Sequence, residues 1–108
     1  MPPKTIYISG PMSGLENFNF DAFDKAEELI RRRGDIVINP AKRGKEWVAK
    51  NGNRDMRESE YNRILLDCLD DVRRCDCIYL LKGWEASNGA RRELQVALIN
   101  KKNVEVEQ

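Results

Sequence analysis

The chain has 108 residues, 34% of them charged, and its 19 Lys+Arg against 18 Asp+Glu leave a net charge of +1. So short a chain makes one domain, and so even a balance offers no single-sign field of the kind that draws a nucleic-acid polymer. Histidine is absent, which excludes a Ser-His-Asp triad, a Cys-His pair and the common His-containing zinc sites.

The opening MPPKTIYISG lacks a signal-peptide pattern, and no apolar run nears membrane-spanning length, so a cytoplasmic protein without a membrane partner is expected. KTIYIS (Lys4–Ser9) reads as a β-strand, followed by a loop with Gly10, Pro11 and Gly14. From Asp21 to Arg33, Ala22, Phe23, Ala26, Leu29 and Ile30 recur at helical spacing, and Gly34 ends that helix. The basic run Arg31-Arg32-Arg33 suits the helix dipole and solvent. DIVINP (Asp35–Pro40) is a second strand stopped by Asn39-Pro40.

Ala41 to Arg57 is polar and without a clear period, and reads as a long loop with at most a turn of helix near Trp47. Its Lys42, Arg43, Lys45 and Lys50 either shield an anionic ligand or are solvated. A helix over Glu58–Arg74 follows, with Tyr61, Ile64, Leu65, Cys68, Leu69 and Val72 on its apolar side. DCIYLL (Asp76–Leu81) is the third strand, Ser87–Asn100 the last helix, and NVEVE a short final strand. Cys68, Cys75 and Cys77 are expected to be reduced. Cys75 and Cys77, inside a predicted strand, would share a face, either as packing residues or as a thiol site.

Strands alternating with helices imply a single α/β domain, right-handed crossovers and a mainly parallel sheet covered on both faces. Ligands of such sheets bind beyond the carboxyl ends of the strands. The topology delivers Ser9, Gly10, Pro11 and Met12 there, with Asn39-Pro40, then Gly83-Trp84 leading into Ser87, Asn88 and Gly89. A helix N-terminus at Ser87 attracts anions, although Ser87 also suits a plain N-cap. Glu93 does not fit a capping box with Ser87, because the box position holds Ala90. It lies on or beside the stripe that faces the sheet, where a carboxylate is costly unless hydrogen-bonded or used. Arg91, Arg92 or Lys82 could instead pair with it at the stripe's edge. Tyr7 could reach the same space, and Trp84 could stack a planar base or cover the sheet end.

TIYISGPMSG, INP and CDCIYLLKGWEASNGARRE together resemble a small family of phage and bacterial proteins carrying the domain of unknown function 4406. That family is similar to the nucleoside 2-deoxyribosyltransferases and the deoxynucleoside 5′-monophosphate N-hydrolases. The resemblance covers nearly the whole chain. It implies a flavodoxin-like, Rossmann-like three-layer fold and no metal or redox cofactor. In the enzymes, a glutamate in the pattern x-x-G-x-x-x-E attacks the anomeric carbon, and Glu93 matches it. A tyrosine of the first strand holds that glutamate, matched by Tyr7. The residue matching Ser87 touches the sugar's 5′ end, aspartate in transferases of free nucleosides and serine in hydrolases of monophosphates. Ser87 therefore implies a nucleotide, since aspartate would repel a phosphate.

The enzymes also carry a base-side aspartate eight residues before the one matching Asp76, and an ungapped count lands on Cys68, with Asp67 beside it. Either a one-residue shift brings Asp67 in or that carboxylate is lost. The enzymes continue past the last helix into a neighbouring subunit's site, for which a chain ending at Gln108 is expected to be too short. The resemblance thus points to an N-glycosidase acting on a nucleoside 5′-monophosphate or related nucleotide. Glu93 would be its nucleophile, Tyr7 the orienter, and Ser87, Asn88 and Gly89 the phosphate cradle. Ser9, Gly10 and Pro11 would shape the sugar pocket. A homodimer or higher homo-oligomer is expected, because so small a sheet leaves apolar surface to bury. The alternatives are a non-catalytic module that sequesters or senses a nucleotide in the same pocket, and a structural phage accessory protein with no nucleotide affinity.

Overall fold

In the computed structural model, which describes residues 2–12, 14–52 and 54–108, the run TIYIS forms β1 (Thr5–Ser9). Phe20–Arg32 is helix α1, Ile36–Ile38 is β2, and Glu58–Arg74 is a helix of 17 residues. Cys77–Leu80 is β3, Asn88–Ile99 is a further helix, and Asn103–Val106 is β4. The four strands make one sheet in the order β2-β1-β3-β4, with every pairing parallel. Parallel pairing with helices on both faces is the expected α/β architecture, and each strand end matches the sequence reading to within two or three residues.

Register decides which side chains meet. Tyr7 lies opposite Ile38 and Ile78, and Ile6 opposite Val37 and Cys77, so successive β1 residues serve opposite faces. On one face Ile6, Ile8, Val37 and Tyr79 pack against Phe20, Phe23, Ala26 and Ile30 of α1. On the other, Tyr7, Ile78 and Leu80 pack against Cys68, Val72 and Ala97 from the two later helices. The connection from β1 leads to one edge of the sheet and that from β3 to the other, on opposite faces. Their carboxyl ends are therefore the switch point where a crevice opens.

The segment expected to be a long loop is instead a helix. Ala41–Asn51 forms α2, which makes Glu58–Arg74 α3 and Asn88–Ile99 α4. Asn39 Oδ1 accepts the Ala41 N–H at 2.9 Å, and Pro40, with no N–H to lose, leads into the first turn. The sequence Asn39-Pro40 therefore starts a helix as well as ending a strand. Ala41, Gly44 and Trp47 are the buried positions, a stripe too narrow and too small to show a period. Gly44 is a packing requirement: a Cβ there would come within 2.8 Å of the Phe20 ring. Gly44→Ala would regain about 1 kcal/mol of helix propensity against that contact. Gly44→Val adds bulk without that gain, and overpacking should destabilise by about 1–3 kcal/mol in urea unfolding. An unchanged midpoint would show that Phe20 yields freely.

Two further readings are corrected by the fold. Cys75 and Cys77 do not share a face, because Cys75 is the C-cap of α3 rather than a strand residue. Its Sγ donates to Val72 O at 3.0 Å, on the face opposite the one that buries Cys77. The Arg31-Arg32-Arg33 run is not uniformly solvated either. Arg33 forms a forked pair with Glu105 at 2.8 and 3.1 Å, tying the end of α1 to β4. Among the described residues, no helix is long and apolar enough to cross a membrane.

Candidate active site

Glu93 sits in the second turn of α4, facing the sheet, and is only 7% exposed. Its partners are not the arginines beside it. Tyr7 Oη donates to Glu93 Oε2 at 2.5 Å, and Ser9 Oγ donates to Oε1 at 2.6 Å. Both donors come from the same face of β1, as residues two apart must. Burial drives the Glu93 pKa up to about 7, the two hydroxyls oppose that shift, and the Asp71 charge adds to it. Burial and the neighbouring Glu93 charge raise Tyr7 well above its ordinary value, so Tyr7 remains a donor. A carboxylate divided near neutrality between its two protonation states, in a fixed orientation, is suited to nucleophilic or acid–base work.

The carboxyl group opens into a cavity of about 490 Å3, a size that accommodates a small-molecule ligand. Gly10, Met12 and Phe18 from the β1–α1 connection form one wall, with Phe20 and Phe23 of α1. Gly44 and Val48 of α2 and Tyr61, Ile64, Leu65 and Cys68 of α3 form the others, and Ser87 and Gly89 open α4. Asp55, Met56 and Glu58 stand at the junction of α2 and α3. That junction is tied down by Glu60, which accepts from both arms of Arg54 at 3.0 and 2.9 Å and from the Arg57 N–H at 2.9 Å. These bonds, with Arg54 foremost, hold the Glu60 pKa down to about 2.

Phe18 reaches the cavity through an unusual backbone. Asn17, Phe18 and Asn19 have φ of 49°, 52° and 61°, a left-handed turn built without glycine. Such a conformation costs about 1–2 kcal/mol per residue and persists only where its surroundings enforce it. Asn19 Nδ2 donates to Pro11 O at 2.9 Å, which pins the turn to the end of β1. Phe18 and Phe20 are thereby brought together, ring centres 5.6 Å apart and planes tilted by 37°. They make an aromatic wall suited to a planar group.

The cavity does not receive every residue expected there. Ser9 lies against Glu93 as its second holder, a role the sequence reading did not assign to it. Pro11 contributes its carbonyl to the Asn19 bond rather than a side chain to the wall. Asn39 is engaged by Asp24, Glu27 and the start of α2. Trp84 packs against the Tyr7–Cys68 cluster and is not part of the lining, so the aromatic surface falls to Phe18 and Phe20. Asn88 is exposed, whereas Ser87 and Gly89 line the cavity, with Ser87 Oγ accepting the Ala90 N–H at 3.1 Å as an N-cap.

On α3 the inward residue is Cys68, its thiol pushed up to about 11 by burial, and Asp67 points away and is exposed. Two of the four basic residues of α2 are committed, Arg43 to Asp71 and Lys45 to Asp24, each at 2.6 Å. The sequence reading missed Asp55 and Glu58 in the cavity, and it took Tyr61 for an apolar-face residue. The stripe Tyr61, Ile64, Leu65, Cys68 was the available signal for Tyr61. Among the described residues, no cluster of three or more Cys, Asp or Glu is placed to hold a metal ion.

Solved structures share this architecture. A 2-deoxyribosyltransferase from Bacillus psychrosaccharolyticus superposes with a TM-score of 0.64 at 20% identity, over 94% of this chain and 70% of that one. A 2-deoxyribosyltransferase from Leishmania mexicana gives 0.66 at 21% identity, over 96% of this chain and 63% of that one. At such identity the likeness is one of fold, and the chain spans only about two thirds of either enzyme. No curated protein sequence matches significantly. The strand-end motifs that build the Glu93 crevice fall within a match to the family described as a domain of unknown function, DUF4406, which runs over residues 4–106, and the protein belongs to that family.

Proposed function

We propose that the protein cleaves the N-glycosidic bond of a nucleoside 5′-monophosphate or a related nucleotide, with Glu93 as nucleophile. The observation that carries this reading is the buried Glu93 carboxylate, held at both oxygens by Tyr7 and Ser9 and open to an apolar cavity of ligand size. A Glu93 oxygen attacks C1′ as the C1′–N bond breaks, and the bonding electrons leave with the base, which takes up a proton. Water then cleaves the glycosyl ester, giving the free sugar phosphate and restoring the carboxylate. The start of α4 at Ser87 and Gly89 receives the 5′ end, and the Phe18–Phe20 wall receives the base. Asp55 and Glu58 are the carboxylates the cavity offers to the base in place of Asp67. The similarity in fold to 2-deoxyribosyltransferases supports the same chemistry.

The test is incubation with ribo- and deoxynucleoside 5′-monophosphates and chromatography for free base. Release of base supports the enzyme. Thermal stabilisation by the same nucleotides without release would replace it with a binding module, the reading favoured by Cys68 standing where a base-side carboxylate was expected. Neither effect would remove both.

The functional unit in this proposal is a homodimer. Leu98 and Ile99 at the end of α4 are 57% and 79% exposed, beside Val104 (41%) and Val106 (46%) of the edge strand β4. Such a patch next to an unpaired strand edge suits burial against a second copy. A mass that stays monomeric across concentrations in sedimentation would refute this.

A further inference from the structure

We propose that Tyr61 is a substrate-binding residue, its phenol donating a hydrogen bond to the phosphate on the sugar's 5′ carbon and so selecting nucleotides over nucleosides. The inference rests on the N-glycosidase reading for where the sugar lies, but its test stands apart from turnover. Tyr61 lies in the first turns of α3 and lines the cavity. Its hydroxyl crosses to the start of α4, where a Cβ on Gly89 would lie only 2.9 Å from Tyr61 Oη. Gly89 is therefore the residue that admits the phenol. Burial foremost, and the nearby Glu93 charge, raise the Tyr61 pKa, while Arg92 opposes the shift. Among the described residues none of these influences is a hydrogen bond, and the phenol, which keeps its proton, is presented to the cavity as a donor.

The resemblance implies that the residue matching Ser87 meets the sugar's 5′ end, so with C1′ at the Glu93 carboxylate the 5′ end of the proposed substrate lies toward Ser87 and Gly89, nearer the start of α4. Tyr61 Oη is on that same side, so it meets the 5′ substituent rather than the base. Arg92, one turn along α4 and close enough to act on the Tyr61 charge, adds positive potential to that side. A phenol donating to a phosphate oxygen makes a charge-assisted bond that a neutral 5′-hydroxyl matches poorly.

The experiment compares wild type with Tyr61→Phe by calorimetric titration of deoxyribose 5-phosphate. For any nucleotide that is turned over, it also compares KM and kcat with those for the matching nucleoside. Tyr61→Phe is expected to weaken deoxyribose 5-phosphate binding about tenfold and to raise the nucleotide KM by a similar factor. The nucleotide kcat and the nucleoside KM should change little. A purely packing role for Tyr61 would shift nucleotide and nucleoside alike. Unchanged sugar-phosphate affinity in the variant, or no wild-type affinity for deoxyribose 5-phosphate, would overturn the proposal. Affinity lost in Tyr61→Phe without any turnover by wild type would uphold it while removing the hydrolase reading.

Discussion

Replacing Glu93 by Gln is expected to abolish base release, lowering kcat by a factor on the order of 10^3 or more, while nucleotide affinity stays within about threefold. The amide has nearly the same shape as the carboxylate. It can accept from one of the Tyr7 and Ser9 hydroxyls and donate to the other once that hydroxyl rotates. What it lacks is an anionic oxygen able to form a bond to carbon. In the proposed reaction only the ionised carboxylate attacks, so kcat/KM should rise with pH and level off above about 7, the value to which burial drives Glu93. Single-turnover assays with wild type and Glu93→Gln across that range provide the check. A variant that retains turnover would remove Glu93 as nucleophile, and a rate flat in pH would mean that another group limits the reaction.

The same carboxylate should make the protein less stable as the pH rises. Folded Glu93 keeps its proton up to about 7, whereas an ordinary glutamate releases it near 4.5. Between those values the folded chain binds more protons than the unfolded one, so stability falls with increasing pH, and the loss is complete above the upper value. Its size is on the order of 3 kcal/mol. That is a large part of the margin of a domain this small. Glu93→Gln has no such titration. In urea unfolding the two proteins should be of similar stability at about pH 4 and diverge toward about pH 8, with the variant the more stable. Other groups, such as Glu60 held low by Arg54, titrate alike in both and cancel in the comparison. A constant difference across the range would mean that Glu93 ionises in the fold as freely as in water.

How much of this could be read from the chain depended on how strongly each segment's pattern exceeded its neighbours'. β1 was legible as a short β-rich run and α3 because its apolar residues are large and keep one period. For Glu93 the period left two aims open, inward with Ala90 and Ala97 or at the stripe's edge, and the fold takes the inward one. No local pattern links α4 to a strand more than eighty residues earlier: Tyr7 was expected as a partner only through the resemblance, and Ser9 was not expected as one. α2 was hidden by a stripe of Ala41, Gly44 and Trp47, in which the glycine that reads as a breaker is the one that admits Phe20. Asp67 illustrates helical phase: one residue from Cys68 is about 100° around the helix, enough to take a side chain from cavity to solvent. Phe18 was illegible for another reason. No simple propensity anticipates three left-handed non-glycine residues in succession.

Glu93 belongs to α4 and Tyr7 and Ser9 to β1, a helix and the central strand it packs against. Part of the wall around them comes from the β1–α1 connection and from the segment joining α2 to α3, and more of it from α1, α2 and α3. Side chains on rigid elements keep their aim when adjoining connections are exchanged. In the proposed function, the group that reacts can therefore stay fixed while part of the recognition surface diverges. Grafting a different β1–α1 segment, or a different α2–α3 junction, would alter which molecule is admitted while leaving intact the carboxylate that meets it.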